Sequence, residues 1–181
     1  MEDLVELIDG IIEEHEIKKE RLEEIQGIAN DLVIADGLEK ARDIFVPGRP
    51  DQQKSLEKLW KHIMLIEEWL DRHFNHEEST LIESFKQHAK HSTFESLSSL
   101  FSEHKDLRSR ISHTKRDIDE LINRGLARHY WEASAYDMKV YLSHTIKLFF
   151  AHADREASLL MALRSELTNA RSKRNIRSSP V

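Results

Sequence analysis

Two stretches decide how this chain is read: His73-Phe74-Asn75-His76-Glu77-Glu78-Ser79-Thr80-Leu81 and His152-Ala153-Asp154-Arg155-Glu156-Ala157-Ser158-Leu159-Leu160. Both have the form His-x-x-x-Glu-x-Ser-x-Leu. Each is preceded, well upstream, by a further histidine, His15 before the first copy and His104 before the second. On a helix, residues four apart share a face, so each pair aims an imidazole and a carboxylate at one point. Four histidines and two glutamates converging in a helical core make a metal ligand set, large enough to imply two ions.

The rest of the chain suits such a core. Its 181 residues fill one domain and are too few for two comfortable ones. With 5 Gly, 3 Pro and 33% charged residues, many of them Glu and Lys, it favours long helices over a sheet. A net charge of -6 gives no reason to expect a nucleic-acid partner. No apolar run approaches the ~18 residues needed to cross a bilayer, and Met1-Glu2-Asp3 is acidic where a signal peptide is basic. A cytoplasmic protein is therefore expected. There is no Cys, which excludes disulfides and thiolate ligands.

Apolar residues recur at intervals of three and four in four segments, at about 2 to 35, 52 to 89, 93 to 124 and 128 to 168. The first carries Leu4, Leu7, Ile8, Ile11, Leu22, Ile25, Ala29 and Leu32, then meets a stop at Asp36-Gly37. The second carries Leu56, Leu59, Ile63, Ile66, Leu70, Leu81 and Phe85. Ser92 or Thr93 is a candidate N-cap for the third, whose stripe is Leu97, Leu100, Leu107, Ile111, Ile118 and Leu121. The fourth runs through Met138, Leu142, Leu148, Phe149, Leu159, Leu163 and Leu167. Short links between the second, third and fourth segments imply antiparallel neighbours, so the expected fold is all-α, an up-down-up-down antiparallel four-helix bundle. The domain spans residues 1–170. Residues 171–181, with Arg171, Lys173, Arg174 and Arg177, read as a disordered basic tail. The stretch from 36 to 51, holding Pro47-Gly48-Arg49-Pro50, reads as a connector rather than a lid.

Whether the six residues meet depends on depth. His15 sits in the stripe between Ile11 and Leu22, His73 and Glu77 between Leu70 and Leu81, His104 between Leu100 and Leu107, and His152 and Glu156 between Phe149 and Leu159. At ~1.5 Å per residue, His15 is roughly 30 Å from the end of its segment, and His73 is about as far from the start of the next. The counts from His73–Glu77 and His104 to their shared turn also match, as do those from His104 and His152 to theirs. Up-and-down packing thus puts all six at one level. Apolar layers flank that level, with Ile11, Ile12, Phe101, Leu81 and Leu160 on one side and Leu22, Ile111, Leu70 and Phe149 on the other. Two carboxylates buried there without partners would cost several kcal/mol each, a cost that cations remove.

The other histidines do not fit the same pattern. His76 lies on the flank of its stripe, as do His62 and His144; His113 faces outward, and His88, His91 and His129 stand at segment ends. Glu78 and Asp154 point off the shared face, and Tyr141, Trp60 and Trp69 read as core or rim aromatics. Nitrogen and oxygen donors without sulfur favour iron, with manganese and zinc behind it. Ferritin-like di-metal bundles use Glu-x-x-His and more carboxylates, whereas here the order is His-x-x-x-Glu and histidine predominates.

That combination resembles the hemerythrin family, specifically its bacterial domains with a His–His–Glu cation-binding repeat, over roughly residues 4 to 165. The resemblance implies that His15, His73, His104 and His152 are terminal iron ligands and that Glu77 and Glu156 bridge two irons. An oxo or hydroxo bridge would complete the centre and leave positions open to a diatomic gas. The pattern departs from the oxygen carriers at two places. Arg108 stands where they have a second His on the third helix, and Ala157 stands where they have an Asp. It is closer to the hemerythrin-like domain of iron–sulfur-cluster repair proteins, though without the Cys-containing domain those usually carry. The expected function is a di-iron binding module that senses, carries or buffers O2, NO or iron. The alternatives are a di-iron enzyme of nitrosative or oxidative stress defence or cluster repair, and a helical interaction protein with an incidental metal site.

Overall fold

The computed structural model describes residues 2–35, 50–88 and 90–177. Four helices account for nearly all of them: α1 (Glu2–Ala35), α2 (Pro50–His88), α3 (His91–Asn123) and α4 (Arg128–Arg177). There is no strand among the described residues, and none of their helices is long and apolar enough to cross a membrane. Helix α1 packs against α2 and α4, and α3 against the same two, which makes a four-helix bundle with only slight contact between α2 and α4. The question of connector or lid at 36–51 lies outside the described residues as far as 49; Pro50 and Asp51 belong to α2.

Helix ends differ from the sequence expectation in three places. Proline opens α2 at residue 50, a position where its missing N–H costs nothing and its fixed φ suits a helix start. Helix α3 starts at His91 with Lys90 as its N-cap, not Ser92 or Thr93. The Lys90 carbonyl accepts from the N–H groups of Thr93 and Phe94 at 3.1 and 3.0 Å, and no side chain caps the end. A capping hydroxyl contributes only about 1 kcal/mol. The packing of Phe94 and Leu97 against the core outweighs that preference. Helix α4 continues to Arg177, past the end expected at about 168 and into the basic tail expected at 171–181. Ala, Arg and Lys, which recur there, are among the best helix formers, and cationic residues favour the C-terminal end of a helix.

The α3–α4 turn is set by one residue. Arg124 closes α3 with its N–H on the Glu120 carbonyl, and Gly125 follows at φ 56°. That left-handed conformation is natural for glycine and strained for residues with a Cβ. A Cβ built there meets nothing within 4 Å, so the cost of substitution is purely conformational. Gly125→Ala is expected to lower stability by about 1 kcal/mol, or about 2–4 °C in Tm, measurable by thermal unfolding.

The core falls into two apolar clusters. One holds Ile8, Ile11, Leu81, Phe85, Leu97, Leu160, Leu163 and Leu167, with Ile12 and Phe101 packed on it. The other is larger, running from Leu22 and Ile25 through Leu70, Phe74, Leu107, Ile111 and Met138 to Phe149 and Ala153. Trp131 closes its far end by donating Nε1–H to the Leu121 carbonyl at 3.2 Å. On the side of the bundle, Glu67 joins α2 to α3 by accepting from Ser112 at 2.8 Å and from Lys115. Between the two clusters lies the polar layer that the spacing of the histidines anticipated.

Candidate metal centre

The structure brings all six residues together and buries them: His15, His73, Glu77, His104, His152 and Glu156 are each 3% exposed or less. Each helix contributes through the same rule of spacing that shaped its apolar stripe. His73 and Glu77 lie one turn apart on α2, and His152 and Glu156 one turn apart on α4. His15 and His104 enter from α1 and α3. Two groups of donor atoms form. His15, His73, Glu77 and Glu156 make one, and His104, His152 and Glu156 make the other, each with its atoms within 4.8 Å of one another.

Glu156 belongs to both groups. Its Oε2 lies 3.5 Å from His15 Nε2 and 3.5 Å from His152 Nε2. Glu77 also faces both ways: Oε1 is 2.7 Å from His73 Nε2 and 3.5 Å from His15 Nε2, while Oε2 is 3.6 Å from His104 Nε2. The two Nε2 atoms of His15 and His73 approach to 2.7 Å. Ligand atoms bound to one ion at ~2.0–2.2 Å stand roughly 3.0–3.4 Å apart in octahedral or tetrahedral arrangement, so these spacings suit shared coordination.

Protein partners do not satisfy this layer. His15 Nδ1, both oxygens of Glu77 and of Glu156, and Nε2 of His104 and of His152 are buried with no hydrogen bond. Buried donors and acceptors nearly always find partners. Leaving aside His15 Nδ1, the other six orphans sit on Glu77, Glu156, His104 and His152, and this set of imidazole nitrogens and carboxylate oxygens fits a cation.

Charge within the layer follows the same logic. Burial alone would raise the Glu77 carboxyl, but the His15 and His73 rings outweigh it and hold it at about 2. Burial likewise works against a charged His73, yet Glu77, Glu156 and Glu14 raise it. His152 is raised in the same way by Glu156 and Glu103. His104 is lowered, because burial and the His152 charge prevail over Glu78.

Outside the layer stand three carboxylates that hold histidines in place. Nδ1–H donates to Glu14 from His73 at 3.0 Å, to Glu78 from His104 at 2.8 Å and to Glu103 from His152 at 3.0 Å. A proton fixed on Nδ1 leaves the Nε2 lone pair for the centre and makes it more basic. Two of these carboxylates are themselves clamped. Arg155 binds Glu103 with two bonds of 2.7 and 2.8 Å. Arg108 binds Glu78 at 3.1 Å, Asp71 at 3.1 Å and Asn75 at 3.0 Å. Phe74 stacks on His104 with centroids 3.8 Å apart and planes 5° apart, and Trp69 stacks on His73 at 4.6 Å. Glu103→Gln is expected to weaken metal binding by about 10–100-fold with the fold intact, read by competition with a chelator.

Glu78 has a role that its spacing does not show. It points off the stripe, as expected, but it does so to reach His104. Arg108, the departure at a presumed ligand position, supports that carboxylate instead of an ion. His76 remains exposed, its nearest polar contacts being with Thr80, and takes no part. Asp154 is also off the centre, paired with Lys19 at 2.7 Å. Glu14 and Glu103 were missed altogether, though a signal existed: each immediately precedes a histidine of the buried layer, in Glu14-His15 and Glu103-His104. Compared with protein-family models, with curated proteins and with solved structures, the chain matches none.

Proposed function

We propose that this chain is a hemerythrin-like di-iron protein whose pair of ions binds a small diatomic ligand, O2 or NO. The observation that carries the reading is a buried set of six residues in two donor groups that share Glu156, five of them with buried nitrogen or oxygen atoms that have no hydrogen bond. One ion would rest on His15 and His73, the other on His104 and His152, with Glu156 and Glu77 between them. The nitrogen and oxygen donor set favours iron, and manganese or zinc less so. Bound there, two redox-active ions would supply open positions for a diatomic gas.

The chain's own residues would do the rest. Glu14, Glu78 and Glu103 hold three imidazoles in the ligating tautomer. Phe74, Phe101 and Trp69 pack against the rings and exclude water. The rings, charges and hydrogen bonds around the layer are committed to shaping it, which supports a binding module over an enzyme.

The cross-helix pairings also support an antiparallel, up-down-up-down course. Between α2 and α3 they run Asp71–Arg108, Glu78–His104 and Glu67–Ser112, so one partner's number rises as the other's falls. Between α1 and α4, Asp9–Arg164, Lys19–Asp154 and Gln26–Ser143 do the same.

Protein purified from iron-supplemented cells is expected to carry two iron ions per chain by elemental analysis. Its optical spectrum should change on exposure to O2 or NO. Two irons with a spectrum indifferent to both gases would leave a metal protein and remove the gas-binding function.

A further inference from the structure

The two halves of the centre share a series of matching contacts. His73 donates to Glu14 at 3.0 Å as His152 donates to Glu103 at 3.0 Å. His15 Nε2 stands 3.5 Å from Glu156, as His104 Nε2 stands 3.6 Å from Glu77. Four residues after His15, Lys19 reaches Asp154, two residues before Glu156. Four residues after His104, Arg108 reaches Asn75, two residues before Glu77.

Among the places where the repetition fails, one removes a carboxylate from a histidine ring. Glu78, next after Glu77, accepts from His104 Nδ1 at 2.8 Å. The corresponding position, next after Glu156, is Ala157, partly buried like Glu78. Its methyl group accepts nothing, and His15 Nδ1 is accordingly the one ring nitrogen on the outer side of the centre that is buried without a partner. A histidine that ligates through Nε2 carries its proton on Nδ1. Three of the four rings have a carboxylate to receive that proton, and His15 does not.

We propose that the ion held by His15 and His73 is the exchangeable one of the pair, with His15 its releasing ligand, because position 157 lacks the carboxylate that Glu78 supplies to the other half. The inference rests on the di-metal reading above and specifies which half of that site takes up and gives back a divalent transition metal. An outer carboxylate is worth about 10–100-fold in metal affinity, so the halves differ by about that factor. His73, anchored by Glu14, stays in place while His15 lets go.

Zinc is a suitable probe, since it loads the same donors and is silent in redox chemistry. The full chain is loaded with zinc, and its release to a chromogenic chelator is followed in time. Two phases are expected, with the fast one missing from His73→Ala. Ala157→Glu, with helicity unchanged by circular dichroism, should slow the fast phase about 10–100-fold. It should also add a strongly deshielded ring N–H resonance to those of His73, His104 and His152. Glu78→Ala should accelerate the slow phase by a similar factor and remove one such resonance.

Equal release of both ions from the unaltered chain overturns the proposal. So does an Ala157→Glu protein that folds and releases zinc as before. If Ala157→Glu does not fold, Glu78→Ala decides alone, and an unchanged slow phase overturns it. A chain that takes up no zinc and no iron removes the metal reading as well, an outcome distinct from uniform release.

Discussion

Glu156→Ala is expected to empty both halves of the centre, whereas His104→Ala should leave one ion behind. The asymmetry follows from geometry. Glu156 is the residue common to both donor groups, 3.5 Å from a histidine on either side. His104 belongs to one group only, and its loss leaves His15, His73, Glu77 and Glu156 together. Elemental analysis should therefore fall from two ions per chain to none in the first variant and to one in the second. Stability should fall with the metal, because an ion that binds only the folded chain adds its binding free energy to folding. At a metal concentration 1,000 times Kd that is about 4 kcal/mol, or about 8–16 °C in Tm for a chain of this size. Chelation of the unaltered protein should reproduce the shift. A His104→Ala protein holding no metal would point to one ion held jointly, and a Glu156→Ala protein holding two would remove that residue from the centre.

Phe74→Ala should destabilise the fold by about 3–5 kcal/mol, the usual cost of deleting a buried phenyl ring and leaving a cavity. Phe74 is fully buried. It sits on the boundary of the larger apolar cluster, stacks on His104, and lies under the Arg108 guanidinium at 5.1 Å. Its removal takes away a stack, one wall of the metal layer and a platform for the residue that clamps Glu78. Denaturant unfolding would register the loss, and Phe74→Leu, which refills part of the space, should recover some of it. A change below about 1 kcal/mol would mean that the neighbouring rings close over the cavity, contrary to the tight packing around His104. Metal affinity should weaken as well, more at the His104 side than at the His73 side.

Much of the bundle was legible because helical periodicity is local. Residues three and four apart share a face whatever the rest of the chain does, so Ile11, His15 and Leu22 are assigned to one stripe from spacing alone. The same spacing, with a constant rise per residue, brought six polar residues to one depth between two apolar clusters. Helix ends were less legible. At Lys90 a backbone carbonyl did what Ser92 or Thr93 was expected to do, and caps are small terms that packing overrides. Glu78 shows the limit within the site, since a residue read as pointing away from the layer holds His104 through its Nδ1.

What the sequence by itself determined is the identity and level of the inward-facing donors: four histidines and two glutamates, doubled by a repeated spacing. Only the tertiary structure decided which carboxylate supports which ring. Glu14 adjoins His15 in the chain but serves His73 on α2, and Glu103 adjoins His104 but serves His152 on α4. Neighbours in sequence point about 100° apart on a helix, so a residue beside a ligand reaches across to the next helix instead. That choice depends on how the helices are placed against one another, which no local pattern contains. It is also the level at which Ala157 acquires meaning, as the position on α4 without the carboxylate that Glu78 supplies from α2.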